Sequence, residues 1–566
     1  MVQEQATSIS ELLYNNAPPN NLDLLIIQER SEAMAMRIAK LREELKDLEH
    51  QLQLHKCVFS PARRIPTEVL TMIFDIASAK PPLLVDDADD SDCWERDRKD
   101  LSTISLVCKR WRDVAYNAGQ LWAAHEAVIP ELTRKQCDTL LRWYGRAKGT
   151  PKTLAFDTSY FNSKPCQCYK QTAGPHLCSN AGLRRLLKGG APFSRISMGN
   201  FTPTCFKNIV CYIKSASATT TTTSTSQHWW DRVQKLVLDF HYGDANDKDP
   251  YWLQSQLPAQ SIFTSFPDSL TSLTLHLPNL EERPQRKVLE IPATVLRKLV
   301  TFSLSYTWGG PQFLTALQHC TNVEDLSLRL GNREESGSAN LGDQINVTSL
   351  SQDGHIVLPK VKSLLLKIKG ASAVVEHIGV LRFPGLVKLC IKSEDEYDKP
   401  KPYSNIMQAI GLFSPAASQN FVSLSVVGYI KSADLYHLLG SLTSPLTHLA
   451  TDATFDPQEF LKLALGAPAG SQNIVPCLRA LHVRKFPVKY HLDSLLLYIK
   501  SRQKHGKKKG EVVMKAPFDG LKWVVLEIYG SDVKKQLYKE SATLKILRGS
   551  FGIKVERLGY RPGESC

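Results

Sequence analysis

Four residues in one short stretch carry side chains that hold metal ions. Cys166 and Cys168 are followed by His176 and Cys178, three thiols and an imidazole within 13 residues. That set matches the Cys3His complement of a structural zinc centre, where thiolate and imidazole fill four tetrahedral positions. The spacing argues the other way, because zinc sites favour two to four residues between paired cysteines and here one residue separates them. The reading taken is a surface loop with incidental cysteines, and no cofactor is expected. A second cluster, Lys504-His505-Gly506-Lys507-Lys508-Lys509 beside Arg502, has the density of a nuclear-localisation signal or a phosphate-binding patch. It lacks interleaved aromatic residues, so it reads as a solvated loop between a helix and the next strand. The signatures G-x-x-x-x-G-K-[ST], H-E-x-x-H, G-x-S-x-G and strand-bound G-x-G-x-x-G do not occur. The chain is therefore read as a non-catalytic protein.

Composition narrows the class. The 566 residues are 43% hydrophobic and 22% charged, which excludes a collagen-like or wholly disordered chain. That length corresponds to about three or four domains or to one long repeat array. No apolar run is long enough for a transmembrane helix, so no membrane partner is expected. Met1 to Asn16 has neither a basic nor an apolar segment of the secretory kind, which predicts an intracellular protein, cytoplasmic, nuclear or both. The 13 cysteines then read mostly as buried thiols. The net charge of +14 invites nucleic acid as a partner. The charge is spread along the chain, however, and nucleic acid is the least favoured partner.

Three kinds of element must position whatever function there is. Residues 1–20, with Pro18 and Pro19, read as a flexible tail. Leu24, Ser31, Ile38, Leu45 and Leu52 then fall seven apart, with Ile27, Met34, Leu41 and Leu48 three residues after them. Only Ser31 breaks the two-position stripe, and the flanking residues are Glu, Arg, Lys and Gln. A stripe this narrow predicts a coiled-coil helix over 21–56. It serves either a homodimer through residues 24–52 or a fold-back onto its own domain.

Residues 57–125 predict two short helices. One follows Ile65-Pro66 and carries apolar residues at 69, 70, 73, 74, 76 and 77; the other carries Leu101, Ile104, Leu106, Cys108, Trp111 and Val114, followed by Leu121-Trp122. An acidic insert at 80–98, containing Asp86-Asp87-Ala88-Asp89-Asp90, separates them. A pair this small buries its apolar surface only in part, so a partner is expected.

These residues resemble an F-box. Ile65-Pro66-x-Glu68-Val69-Leu70-x-x-Ile73-Phe74, then Val107-Cys108-Lys109-Arg110-Trp111-Arg112, then Leu121-Trp122, follow the family's three blocks, with Ile65 where Leu is usual. The acidic insert is a second departure; related fungal members often carry one there, and several have a coiled coil before the motif. The resemblance implies a Skp1-like adaptor as partner and, through it, a cullin and a RING protein. Helix-in-groove docking uses anchors at i, i+3, i+4 and i+7, the spacing of Leu70, Ile73, Phe74 and Ala77. The expected adaptor-binding residues are these four with Ile65, Pro66, Leu106, Cys108, Trp111, Leu121 and Trp122. For Trp122 an internal core role stands beside the binding role.

From about residue 126 to 566 an apolar-x-x-apolar-x-apolar element recurs. It appears at Phe193, Val233, Leu270, Leu299, Val323, Val361, Leu386, Phe421 and Leu478, with weaker forms at Leu446 and around Trp523 to Leu526. From Val233 to Phe421 the spacings are 37, 29, 24, 38, 25 and 35 residues. Each element reads as a short strand, with helices between at 313–318, 374–378 and 492–499. The first unit is expected to be a helix through Leu132, Leu140, Leu141 and Tyr144 with a strand at 153–156. The Ser/Thr-rich stretch 215–226 and residues 330–355 read as loops. The expected fold is α/β: a long helix, a small helical F-box, then an irregular solenoid resembling leucine-rich repeats. A globular α/β domain with a parallel sheet remains the alternative. The function this implies is target recognition within a ubiquitin ligase, the target itself being unreadable; a scaffold that binds the adaptor without ubiquitination is the alternative.

Overall fold

A computed structural model describes residues 14, 21–59, 61–78, 101, 103–128, 133–157, 180–189, 193–218, 229–240, 261–278, 289–306, 312–331, 355–369, 378–393, 420–427, 432–442, 446–451, 456, 477–486, 493, 495–497, 505–508, 511–514, 523–528, 542 and 554–558. The tail apart from Tyr14, the acidic run 86–92, Leu132 and Cys166, Cys168, His176 and Cys178 lie outside the described residues. The chain divides into two units, Met1–Ala79 with Asp100–Ala115, and Lys80–Lys99 with Tyr116–Cys566.

The first unit begins with α1, Asn21–Val58. Its heptad stripe is exposed, each of Leu24, Met34, Ile38, Leu41, Leu45, Leu48 and Leu52 at 49–62%. Among the described residues nothing covers these positions. Next come a single 3-10 turn at Pro61–Arg63 and α2 at Thr67–Ser78. Residues 103–107 are helical, and α3 spans Lys109–Asn117. The boundary between the two units falls inside α3.

The second unit is built on one parallel sheet of fourteen strands, in which every strand lies beside its neighbours in sequence. The strands are β1 Ala124–Val128, β2 Lys152–Asp157, β3 Phe193–Phe201, β4 Lys235–Phe240, β5 Ser272–His276, β6 Thr301–Tyr306 and β7 Asp325–Gly331. They continue as β8 Ser363–Lys369, β9 Lys388–Ser393, β10 Ser423–Val427, β11 His448–Thr451, β12 Ala480–Phe486, β13 Trp523–Ile528 and β14 Lys554–Leu558. Strictly sequential order without a reversal point is what a solenoid produces, and it excludes a doubly wound sheet. Helices sit between strands: α4 Arg134–Arg146, α5 Ala181–Gly189, α6 Pro203–Ala218, α7 Ala293–Leu296, α8 Gln312–Leu317 and α9 Ser432–Ser441.

The repeat element explains the register. Its three apolar positions are buried in every clear instance, as at Leu270, Leu273 and Leu275 or Leu299, Phe302 and Leu304. Residue two of each element forms a backbone ladder from one repeat to the next. Thr271 N donates to Gln234 O (2.9 Å), Val300 N to Thr271 O (2.7 Å), Glu324 N to Val300 O (2.8 Å), Lys362 N to Glu324 O (2.8 Å) and Val387 N to Lys362 O (2.8 Å). The ladder runs on through Val422, Thr447 and Arg479, and Trp523 N, one position further into its element, donates to Arg479 O (3.1 Å), so the weak elements at Leu446 and Trp523 join the same stack. Stacked repeats thus satisfy backbone groups that a lone unit would leave unpaired.

Several expected loops are ordered elements. Ser215–Ala218 ends α6, where the Ser215 hydroxyl donates to Tyr212 O (3.0 Å) and the alanines favour helix. β7 runs to Gly331; 332–354 and 219–226 lie outside the described residues. The basic run is no loop either: His505–Lys508 pairs antiparallel with Glu511–Met514. Of the expected helices, α8 covers the first, whereas only Ile378 of the second and 493 with 495–497 of the third are described. Among the described residues Cys137, Cys205 and Cys320 are buried, while Cys108, Cys211 and Cys477 are exposed.

A buried histidine on the strands makes stability depend on pH. His276 on β5 is paired in register with Ser305 on β6, and Ser305 with Arg329 on β7. Burial, and secondarily the Arg329 charge, lowers the His276 pKa to about 4 from an ordinary 6.5. The ring is therefore neutral in the fold at pH 7. As pH falls from 6.5 towards 4 the unfolded chain takes up a proton that the folded chain refuses, so stability drops in that window by on the order of 2–3 kcal/mol. Urea unfolding midpoints should fall between pH 7 and pH 5, and fall less in His276→Gln; equal slopes for both proteins would contradict this.

Candidate docking site

Pro66 sets the start of α2. Its carbonyl accepts from Leu70 N (2.9 Å), and the residue itself is exposed just before Thr67. Below it, Arg110 from α3 donates to the carbonyl oxygens of Arg63 and Ile65, which ties the turn ahead of α2 to α3. Cys108 caps α3: its sulfur accepts from Trp111 N (3.4 Å) and its carbonyl from Arg112 N (3.0 Å). Arg112 Nε donates to Ser105 O (3.1 Å), holding the preceding turn. Phe74 packs against Trp111 with ring centroids 5.1 Å apart.

These contacts decide which face of α2 is open. Leu70 and Phe74 are buried, so they hold the module rather than present it. Two of the four expected anchors on α2 are therefore buried within the chain. The exposed residues are Val69, Met72, Ile73 and Ile76, again spaced i, i+3, i+4 and i+7, with Met72 62% and Ile76 73% exposed. Of the expected anchors on α2, Ile73 and Ala77 remain exposed. Leu106 is exposed with its neighbour Val107, Cys108 is exposed, and Ile65 and Trp111 are half-buried. Val69, Met72, Ile76 and Val107 lie outside the expected set; each is an apolar side chain left exposed where Phe74 meets Trp111.

Leu121 and Trp122 belong to the second unit, in a 3-10 turn at Gly119–Trp122. Trp122 is 3% exposed. Its ring meets Trp143 of α4 at 4.6 Å and Tyr116 at 5.4 Å, and the Arg146 guanidinium lies 4.5 Å over the rings of both Tyr116 and Trp122. Within the chain Trp122 packs into the core of the second unit, and Leu121 beside it is buried as well. Gly119 is required by the same packing: a Cβ there would stand 2.8 Å from Ala147 O and from Thr150 Oγ1. Gly119→Ala is expected to cost about 1–3 kcal/mol, read as a lower melting midpoint; an unchanged midpoint would contradict the close approach.

A family model for the F-box-like domain matches residues 62–125. The chain carries an F-box-like domain. The match covers α2, α3 and the Gly119–Trp122 turn, so the last part of the F-box-like domain is built into the first repeat of the second unit. F-box domains characteristically bind Skp1-like adaptors and act as adaptors in SCF-type complexes, and an exposed i, i+3, i+4, i+7 face on the F-box-like domain has the form such a contact needs. No curated protein matches the sequence. Among solved structures, the leucine-rich repeat-containing protein LegL7 from Legionella pneumophila is similar at 16% identity and a TM-score of 0.27, over 56% of this chain and 93% of that one. The solenoid assignment rests on the strand order itself. Among the described residues no group of His, Cys, Asp and Glu is placed to hold a metal ion, and no helix is long and apolar enough to cross a membrane.

Proposed function

We propose that the chain is the substrate-recognition subunit of an SCF-type ubiquitin ligase. The exposed Val69, Met72, Ile73 and Ile76 of the F-box-like domain carry this reading. They dock a Skp1-like adaptor, with Leu106, Val107, Pro66 and Cys108 as further contacts, and the adaptor links to a cullin and a RING protein. The chain performs no bond chemistry; it raises the local concentration of a target lysine near the transferring enzyme.

The target is held by the open face of the sheet. Alternate strand residues point away from the buried rows. Thr274, Ser303 and Ser327 lie there in register and half-buried; in the row nearer the strand ends Arg329 and Lys392 are half-buried, while Lys367 between them is buried. Arg329 and Lys392, two strands and so about 10 Å apart, are the partly exposed cations of that row, and they favour an acidic or phosphorylated target. Phosphatase treatment of a co-purified target should release it; retention of the dephosphorylated target would count against this preference.

Affinity purification from cells tests the ligase role. The wild-type chain should bring down the adaptor together with a cullin. Adaptor without cullin favours the scaffold reading, and recovery of neither removes the proposal.

A further inference from the structure

We infer that two copies of the chain pair through α1 in antiparallel orientation. The exposed stripe shows that α1 has a face to cover, and the charges beside the stripe say by what. With Leu24, Ser31, Ile38, Leu45 and Leu52 at heptad position a, and Ile27, Met34, Leu41 and Leu48 at d, the g positions are Asp23, Arg30, Arg37, Glu44 and Gln51, and the e positions are Gln28, Ala35, Arg42, Glu49 and Lys56. In a parallel pair each g residue faces the e residue five positions later on the other helix. Arg37 would then face Arg42 and Glu44 would face Glu49, each twice by symmetry. Such an arrangement sets four like-charge contacts along the seam.

Antiparallel pairing removes all of them. There a faces d, g faces g and e faces e. The register that aligns the whole stripe sets Ile38 on the partner's Leu41, Leu45 on the partner's Met34, Leu52 on the partner's Ile27, and Ser31 on the partner's Leu48. Arg37 then lies beside the partner's Glu44, again twice by symmetry, and Arg42 lies beside the partner's Ala35. Gln28 lies beside the partner's Glu49. Ser31, the one polar stripe residue, donates its hydroxyl to Gln28 O of its own helix (2.9 Å), so the partner's Leu48 covers it without leaving the hydroxyl unpaired. Shifting the helices by one heptad either way shortens the seam and sets Arg37 on Arg37 or Glu44 on Glu44.

This orientation has a functional consequence. A helix of 38 residues spans about 57 Å. The two F-box-like domains, each following Val58, therefore leave the pair at opposite ends and engage separate adaptors. The inference does not depend on the ligase reading.

Light scattering and sedimentation equilibrium on the full chain test it. The wild type should approach twice the 63.4 kDa chain mass with rising concentration. Arg37→Glu alone, or Glu44→Arg alone, sets like charges together at two sites and should raise the dimer dissociation constant about tenfold. The double variant restores opposite charges and should return it to the wild-type value. In a parallel pair each single change would create attraction and tighten the dimer. A mass of one chain at every concentration overturns the inference, and so does a single variant that dimerises as well as or better than the wild type.

Discussion

Met72→Asp/Ile76→Asp should abolish capture of a Skp1-like adaptor, weakening it at least about a hundredfold, while the melting midpoint stays within a few degrees of wild type. Both side chains are exposed on α2 and carry none of the packing between Phe74 and Trp111. Placing two carboxylates in a helix-in-groove contact leaves buried charge unpaired in the complex, whereas in the free chain both stay in water. Leu70→Ala provides the contrast. It hollows out a buried position and should lower the melting midpoint, with any loss of capture following the loss of fold. Pull-down combined with a thermal melt separates the two. Full capture by the Met72/Ile76 variant would show that the exposed face of α2 is not the adaptor's.

Trp122→Ala has the second large effect, and its signature is the opposite one. Removing a buried indole that touches Trp143, Tyr116 and Arg146 should cost about 3–5 kcal/mol. Stability in a repeat array is a sum of local units and their interfaces, so the loss should be concentrated at one end. Hydrogen exchange should accelerate first in α4 and β2, where Tyr144 Oη donates to Thr153 O (2.8 Å), and leave β6 to β9 protected. Reduced adaptor capture with unchanged melting and exchange would return Trp122 to the role of an anchor.

The parts of the fold that repeat were legible in the sequence. Spacing alone located α1 and every strand built on the apolar-x-x-apolar-x-apolar element. β1 and β14 escaped because Ala124-His125-Glu126-Ala127-Val128 and Lys554-Val555-Glu556-Arg557-Leu558 lack the full element. They are the two edges of the sheet, and edges are where arrays use atypical, charged strands.

The apolar face of α2 was legible in the sequence, but which of its residues stay exposed was not. α2 is apolar at Val69, Leu70, Met72, Ile73, Phe74 and Ile76, so the same spacing fits two overlapping sets. Which set turns inward is decided by Trp111, a contact distant in sequence. Trp122 was ambiguous for the same reason, since its neighbours Trp143 and Arg146 come from the following helix. The proximity of Arg329, Lys367 and Lys392 left no local signal, because they become neighbours only through strand register.

Binding of the purified full chain to a purified Skp1-like adaptor, followed by calorimetry, tests the central claim most directly. The account predicts saturable one-to-one binding per chain that is lost in the Met72→Asp/Ile76→Asp variant. No heat of binding by a folded wild-type chain, or equal binding by wild type and variant, would contradict it.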